Sequence, residues 1–266
     1  MPPDAHQGRV LLVGAGPGPA DLLTVRAARA IGEAQALLYD ALVGDEVLAL
    51  AQPGCTRIQT GKRAGRASME QATINGLMVR LARQGLSVVR LKGGDPSIFG
   101  RVGEEIDHLR AHGVAFEVVP GVTAACAAAA QFALPLTHRG VARQVVFSTG
   151  RAVDGLPVRA GGRREAATLA LYMARDAIAA QFEVLVADGW PARTPAAAVE
   201  NAGRPDASLI CGDLACLPER LRDAAPTGPV LVLVGEIAGR AGAGLREHPC
   251  PRAREISFTG AGTARA

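Results

Sequence analysis

Residues 87–101, SVVRLKGGDPSIFGR, decide the architecture. Val88, Val89 and Leu91 make an apolar, largely β-branched run that breaks abruptly at Gly93-Gly94-Asp95-Pro96. A short apolar run closed by such a turn predicts a buried parallel strand, and open α/β sheets bind ligands in the crevice at the carboxyl ends of their strands. Two glycines in that turn let backbone approach a ligand with no Cβ in the way, or adopt φ > 0. Asp95 adds a carboxylate, and Pro96 fixes the chain that carries it. The segment is expected to hold a small molecule against bare peptide groups.

Outward from this segment, strand-like and helical patterns alternate, which predicts an α/β fold with largely parallel pairing. Residues 9–13 read as a first strand, followed by GAGPGPAD and a helix through Ile31, and residues 36–39 as a second strand ending at Asp40. Ser68 and Gln71 have capping-box spacing ahead of a helix on which Ile74, Leu77, Met78 and Leu81 share one face. After the strand 87–92 come a helix near 101–112, a strand 115–119 and an Ala-rich helix 122–132. The PLTHRG segment, 135–140, interrupts this rhythm and is expected to join two domains. Residues 144–148, 167–173, 196–200 and 230–234 read as strands of a second sheet. The expected division is an N-terminal α/β domain over 1–136 and a C-terminal α/β domain over 137–240. A Gly- and Arg-rich surface loop is expected at 154–164, and a Gly-, Ala- and Arg-rich disordered tail over 241–266.

Composition narrows the function classes. The 266 residues are 48% hydrophobic but only 3% aromatic, so the core must be built from Ala, Val and Leu. A formal net charge of +4 is too mild for a nucleic-acid stripe, and no basic–aromatic interleaving accompanies it, so no nucleic-acid partner is expected. The cysteines stand at 55, 126, 211, 216 and 250 with no CxxC pair, which predicts free thiols, no metal site and a reducing, cytoplasmic setting. Residues 1–9 lack the pattern of a signal peptide, and no apolar run reaches membrane-spanning length, so no membrane partner is expected.

Each motif carries a bland alternative. Gly14-Ala15-Gly16-Pro17-Gly18 after a first strand, with Asp40 further on, invites a dinucleotide-binding reading and hence an NAD-dependent oxidoreductase. Pro19 stands where that fingerprint needs Gly or Ala, so a ligand-adjacent loop of another α/β fold, or a plain tight turn, competes with it. Gly61-Lys62-Arg63 with Arg66 is a cationic cluster that reads either as solvated surface or, together with Arg101, Arg139 and Arg143, as a binder of carboxylates. Thr123 reads as a helix N-cap or as a ligand neighbour. His108 and His112 have metal spacing, but beside Glu105 and Asp107 they read as a solvated helix face, whereas His138 lies at the expected domain junction.

Taken in series, GAGPGPADLLT, Tyr39-Asp40, GKRAGRAS, VVRLKGGDPSIFGR, FEVVPGVTAA, LPLTHR and TLALYMA resemble the uroporphyrinogen-III C-methyltransferases of the tetrapyrrole methylase family, over roughly residues 8–240. The resemblance implies a two-domain tetrapyrrole methylase fold, each domain a mixed, largely parallel sheet flanked by helices, with the cofactor in the interdomain cleft. It implies S-adenosyl-L-methionine as methyl donor, no metal, a polycarboxylate tetrapyrrole substrate and a homodimer. On matching positions, Pro17, Gly93, Gly94, Asp95, Ile98, Thr123, Ala124, Met173, Ala202 and Val230 are expected at the cofactor. Arg101, Glu104 and Asp40 are expected to be catalytic, and Lys62, Arg63, Thr137, His138 and Arg139 to bind substrate. The sequence departs from the family pattern at Ser97, where Phe is usual, and at Val102, where Gly is usual. A cofactor-sensing or tetrapyrrole-carrying protein on the same fold is the non-enzymatic alternative.

Overall fold

The computed structural model describes residues 8–61, 69–150 and 166–240. In chain order the first half contains β1 (Arg9–Gly14), α1 (Val25–Gly32), β2 (Ala36–Tyr39), α2 (Asp45–Ala49), β3 (Thr56–Gln59), α3 (Gln71–Arg83), β4 (Ser87–Lys92), α4 (Val102–Ala111), β5 (Phe116–Val119) and α5 (Ala124–Gln131). The second contains β6 (Gln144–Thr149), β7 (Ala167–Tyr172), α6 (Ile178–Ala187), β8 (Pro195–Glu200), β9 (Ser208–Asp213), α7 (Leu217–Ala224) and β10 (Val230–Val234).

The first sheet has the order β3-β2-β4-β1-β5 and is parallel throughout. Successive strand residues point to opposite faces, and here both faces are covered. Val10 and Leu12 pack with Ile74, Met78 and Leu109 of α3 and α4, while Leu11 and Val13 pack with Ala27, Ile31 and Val47 of α1 and α2. β4 lies at the centre and alternates likewise, except that Arg90 and Lys92 occupy the α3–α4 face. The apolar face expected on α3 is present, but its start is corrected. Glu70 is the N-cap and Gln71 the first helical residue, so Gln71 is two positions too early to close a capping box, and its side chain reaches Asn75 and Glu105 instead.

The second sheet, β6-β7-β10-β8-β9, is mixed, and it departs from the expectation of largely parallel pairing. β6 and β7 are parallel, but β10 is antiparallel to both β7 and β8, and β8 is antiparallel to β9. The reason lies in the connections. α6 joins β7 to β8 and α7 joins β9 to β10, each crossover linking strands of like direction, but β10 inserts between β7 and β8. The link from β8 to β9, residues 201–207, is shorter than the dozen or so residues a parallel crossover needs.

Val230, Val232 and Val234 of β10 face Phe182, Leu185, Leu217 and Leu221 of α6 and α7. Leu231 and Leu233 face the other way, onto Ala125 and Ala128 of α5. The Ala-rich helix thus leaves the first sheet and covers the second, its small side chains permitting the close approach. Residues 154–164 and the tail 241–266 lie outside the described residues. Among the described residues no helix is long and apolar enough to cross a membrane.

Candidate functional site

Three strand ends converge at the carboxyl edge of the first sheet. Gly14 of β1 pairs in register with Lys92 of β4, and the loops beyond them bond reciprocally: Gly94 N–H donates to Gly16 O (2.7 Å) and Gly16 N–H to Gly94 O (3.2 Å). The loop after β5 closes against both. A Cβ on Gly121 would lie 2.3 Å from Gly94 O and 2.8 Å from Gly14 Cα. Glycine is required there because backbone meets backbone.

These loops form one wall of a cavity of about 690 Å³, and residues after β7, β8 and α7 form the other. All ten residues expected at the cofactor line it: Pro17, Gly93, Gly94, Asp95, Ile98, Thr123, Ala124, Met173, Ala202 and Val230. Asp40 and Arg101 line it too. Glu104 does not, but its carboxylate takes two 2.7 Å hydrogen bonds from Arg101, the N-cap of α4. That pairing holds the Glu104 carboxyl below its ordinary range and raises Arg101 above its own. Thr137, His138 and Arg139 are exposed and are not part of the lining; the His138 ring is 3.1 Å from Arg240 Nη1. Lys62 and Arg63 lie outside the described residues.

Asp40 closes the end of β2, its carboxylate accepting from the N–H groups of Leu42 (3.1 Å) and Gly93 (3.1 Å). Asp95 ties two loops, accepting from Gly121 N–H (2.9 Å) at one oxygen and from Ser97 N–H (2.8 Å) and the Ser97 hydroxyl at the other. Burial pushes the Asp95 carboxyl up, and these hydrogen bonds outweigh it, leaving it below the ordinary range. Ser97, the departure from the family pattern, thus serves the Asp95 carboxylate. Thr123 occupies the N-cap of α5 without capping; its hydroxyl turns to the Tyr172 hydroxyl at 2.7 Å.

The sequence assigns no role to several lining residues, although Arg90, Lys92 and Phe99 lie within the segment 87–101. Lys92 and Arg90 are buried in contact with Glu105 of α4, which is 0% exposed and takes Lys92 Nζ at 2.8 Å, Arg90 Nε at 3.2 Å and Gln71 Nε2 at 3.2 Å on one oxygen. Burial lowers the Lys92 pKa, with Glu105 opposing the shift. Charges at alternate positions of an otherwise apolar strand were the available signal. Arg204 crosses from the β8–β9 link to the first half, donating to Leu42 O (3.1 Å) and Pro17 O (3.4 Å). Leu42, Phe99, Tyr172 and Arg175 line the cavity as well.

The dinucleotide reading loses its structural basis. Pro19 precedes a single 3-10 turn, and α1 begins only at Val25, so no α-helix opens directly from the Gly14–Gly18 loop as the dinucleotide fingerprint requires. His112 Nδ1 contacts the His108 carbonyl, and among the described residues no cluster of His, Cys, Asp or Glu has the make-up of a metal site.

A parallel sheet whose carboxyl edge offers backbone and small side chains, roofed by a second, mixed sheet, defines an α/β protein with a cavity between its halves. Within that class the assignment is specific. The model of the tetrapyrrole (corrin/porphyrin) methylases matches residues 9–218, and the chain belongs to this family. It is 47% identical over 233 residues to a siroheme synthase of Chromobacterium violaceum, covering 86% of this chain and 49% of that protein. A siroheme synthase of Nitrosospira multiformis is 44% identical over 236 residues, covering 87% and 49%. The chain therefore spans about half the length of these curated relatives. Among solved structures, uroporphyrin-III C-methyltransferase of Thermus thermophilus complexed with S-adenosyl homocysteine is 39% identical with a TM-score of 0.76, covering 87% of this chain and 99% of that one. A cobalt precorrin-4 methyltransferase is 28% identical, also at 0.76, covering 86% and 95%.

Proposed function

We propose that the chain is an S-adenosylmethionine-dependent uroporphyrinogen-III C-methyltransferase. It methylates ring carbons C2 and C7 in turn, giving precorrin-2 by way of precorrin-1 and releasing S-adenosylhomocysteine. The observation that carries this reading is the gathering of all ten expected cofactor residues, with Asp40 and Arg101, around one cavity. The cavity suits the donor: Gly93 and Gly94 put backbone without side chains on its wall, while Pro17, Ala202 and Val230 supply small apolar surface that excludes water.

When bound, S-adenosylmethionine would supply a methyl group on a sulfonium, the pyrrole carbon bonding to the methyl as the C–S bond breaks and its electron pair leaves with the thioether. The thioether leaves without acid assistance, so the main task of the protein is alignment, which contributes up to roughly 7–11 kcal/mol in well-oriented reactions. Gly93, Gly94, Asp95, Thr123 and Ala124 hold the donor, and Arg101 orients a substrate carboxylate. Arg101 is no base, since guanidinium stays protonated. After methyl addition the ring must lose a proton from a bridging carbon. Asp40, fixed by two amides and with lone pairs to spare, accepts it at its carboxylate. The active species is proposed to be a homodimer.

Anaerobic incubation with methyl-labelled S-adenosylmethionine and uroporphyrinogen III tests the reading. Label in the tetrapyrrole supports it; binding of both compounds without transfer would establish a carrier instead. Arg101→Ala and Arg101→Lys are each expected to abolish transfer while S-adenosylhomocysteine still binds, and near-normal turnover in either would remove Arg101 from the mechanism.

A further inference from the structure

Two independent observations mark Phe99, and Met173 shares both. Among the described non-glycine residues with positive φ, Phe99 (54°), Arg101 (56°) and Met173 (53°) all line the cavity. For bulky side chains this region is a strained outlier, and such strain gathers where ligands are held. Exposure marks the same places. Phe99 is 40% and Met173 50% exposed, and Leu42 on the same lining is 49% exposed. None of the three belongs to a core cluster, so their apolar surface awaits a partner within the cavity.

The Phe99 ring is nonetheless held. Its centroid lies 5.2 Å from that of Tyr172, and Tyr172 is anchored by Thr123, by Ala125 N–H (3.3 Å) and by the edge-on ring of Phe147. The same lining carries two partly exposed guanidinium groups, Arg101 paired with Glu104 and Arg175 paired with Asp176, each with N–H donors beyond that pairing. A flat, weakly polar face with a cationic rim complements a flat ring that carries anionic arms.

Resting on the methyltransferase reading, we propose that Phe99, backed by Tyr172, is the shelf on which one face of the tetrapyrrole lies, with Arg101 and Arg175 taking its carboxylate arms. Phe99 is then a specificity-determining residue for the macrocycle and not part of the donor site.

The test compares the full chain with its Phe99→Ala, Phe99→Leu and Phe99→Tyr variants. Uroporphyrin III binding is read by fluorescence quenching, S-adenosylhomocysteine binding by calorimetry, and KM for uroporphyrinogen III by methyl incorporation. Phe99→Ala is expected to raise the uroporphyrin Kd and the uroporphyrinogen KM about tenfold, while Phe99→Tyr stays within about twofold and Phe99→Leu falls between. The S-adenosylhomocysteine Kd should stay unchanged throughout. Unchanged tetrapyrrole binding in Phe99→Ala, or an equal loss of S-adenosylhomocysteine binding, overturns the shelf alone. A wild-type chain that binds S-adenosylhomocysteine but neither binds uroporphyrin nor methylates uroporphyrinogen III overturns the functional reading, and the shelf with it.

Discussion

Glu105 carries more charge contact than any other buried side chain near the cavity, and one of its oxygens, Oε2, has no hydrogen-bond partner. Taking ions out of water is costly, and a buried pair is tolerated only while its partners remain. Glu105→Gln keeps the shape but leaves Lys92 and Arg90 facing each other without a counter-charge. Urea unfolding should show a loss of about 3–5 kcal/mol. The triple replacement Glu105→Leu, Lys92→Met and Arg90→Leu should lose less than Glu105→Gln alone, because the desolvation cost leaves with all three ions. Asp95 makes a pH prediction of definite sign. Its folded carboxyl sits below the ordinary value of about 3.9, so hydrogen bonding to the ionised form adds stability above that pH. The contribution is lost as pH falls through the lower folded pKa, where the unfolded chain has already taken up its proton. Melting temperatures followed downward from about pH 5 should therefore fall more steeply for the wild type than for Asp95→Asn. Parallel curves would show that Asp95 contributes nothing through its charge.

At the scale of elements, the tightest constraint is the meeting of the β1, β4 and β5 loops. Gly121→Ala would drive a Cβ into Gly94 O and Gly14 Cα, backbone atoms that cannot swing aside. It should cost about 1–3 kcal/mol and weaken S-adenosylhomocysteine binding, both measurable on one protein preparation. Gly103→Ala is the contrast: nothing lies within 4 Å of its added Cβ, and in helix α4 it should gain up to about 1 kcal/mol. Equal effects of the two would refute the crowding argument. The same elements show what the sequence made legible. β1, β2, β4 and β10 are buried on both faces, so each is a mostly apolar run between turn residues, interrupted in β4 by Arg90 and Lys92, and all four are evident from the chain alone. Of the four edge strands, β5 and β6 keep paired valines and are legible, whereas β3 and β9 escape because TRIQ and SLICGD lack that pattern. Strand directions in the second sheet follow from its crossovers, but the insertion of β10 between β7 and β8 depends on packing that no local pattern encodes. Gly93 to Asp95 could be read as a ligand loop from composition and position, whereas the Lys92–Glu105 contact joins residues on separate elements and needs the fold to reveal it.

Across the whole molecule, the two halves share one apolar cluster and a line of polar ties along the cavity. α5 packs on β10, Thr123 meets Tyr172, and Gln131 clamps the β8–β9 link through Gly203 N–H (2.8 Å) and Arg204 O (2.8 Å). Arg204 extends that line to the loops after β1 and β2, where its guanidinium reaches two carbonyls at once. Only a fork of this kind can bridge both acceptors from one side chain. Arg204→Ala should therefore cost about 1–3 kcal/mol, the range for hydrogen bonds to a charged group. Because a ligand in the cavity also touches both halves, saturating S-adenosylhomocysteine should recover most of the lost melting temperature. Arg204→Lys keeps the charge but not the fork, and it should behave like the alanine variant in both thermal and calorimetric measurements. Full recovery by lysine would mean that positive charge, and not the span between the two loops, is what Arg204 contributes.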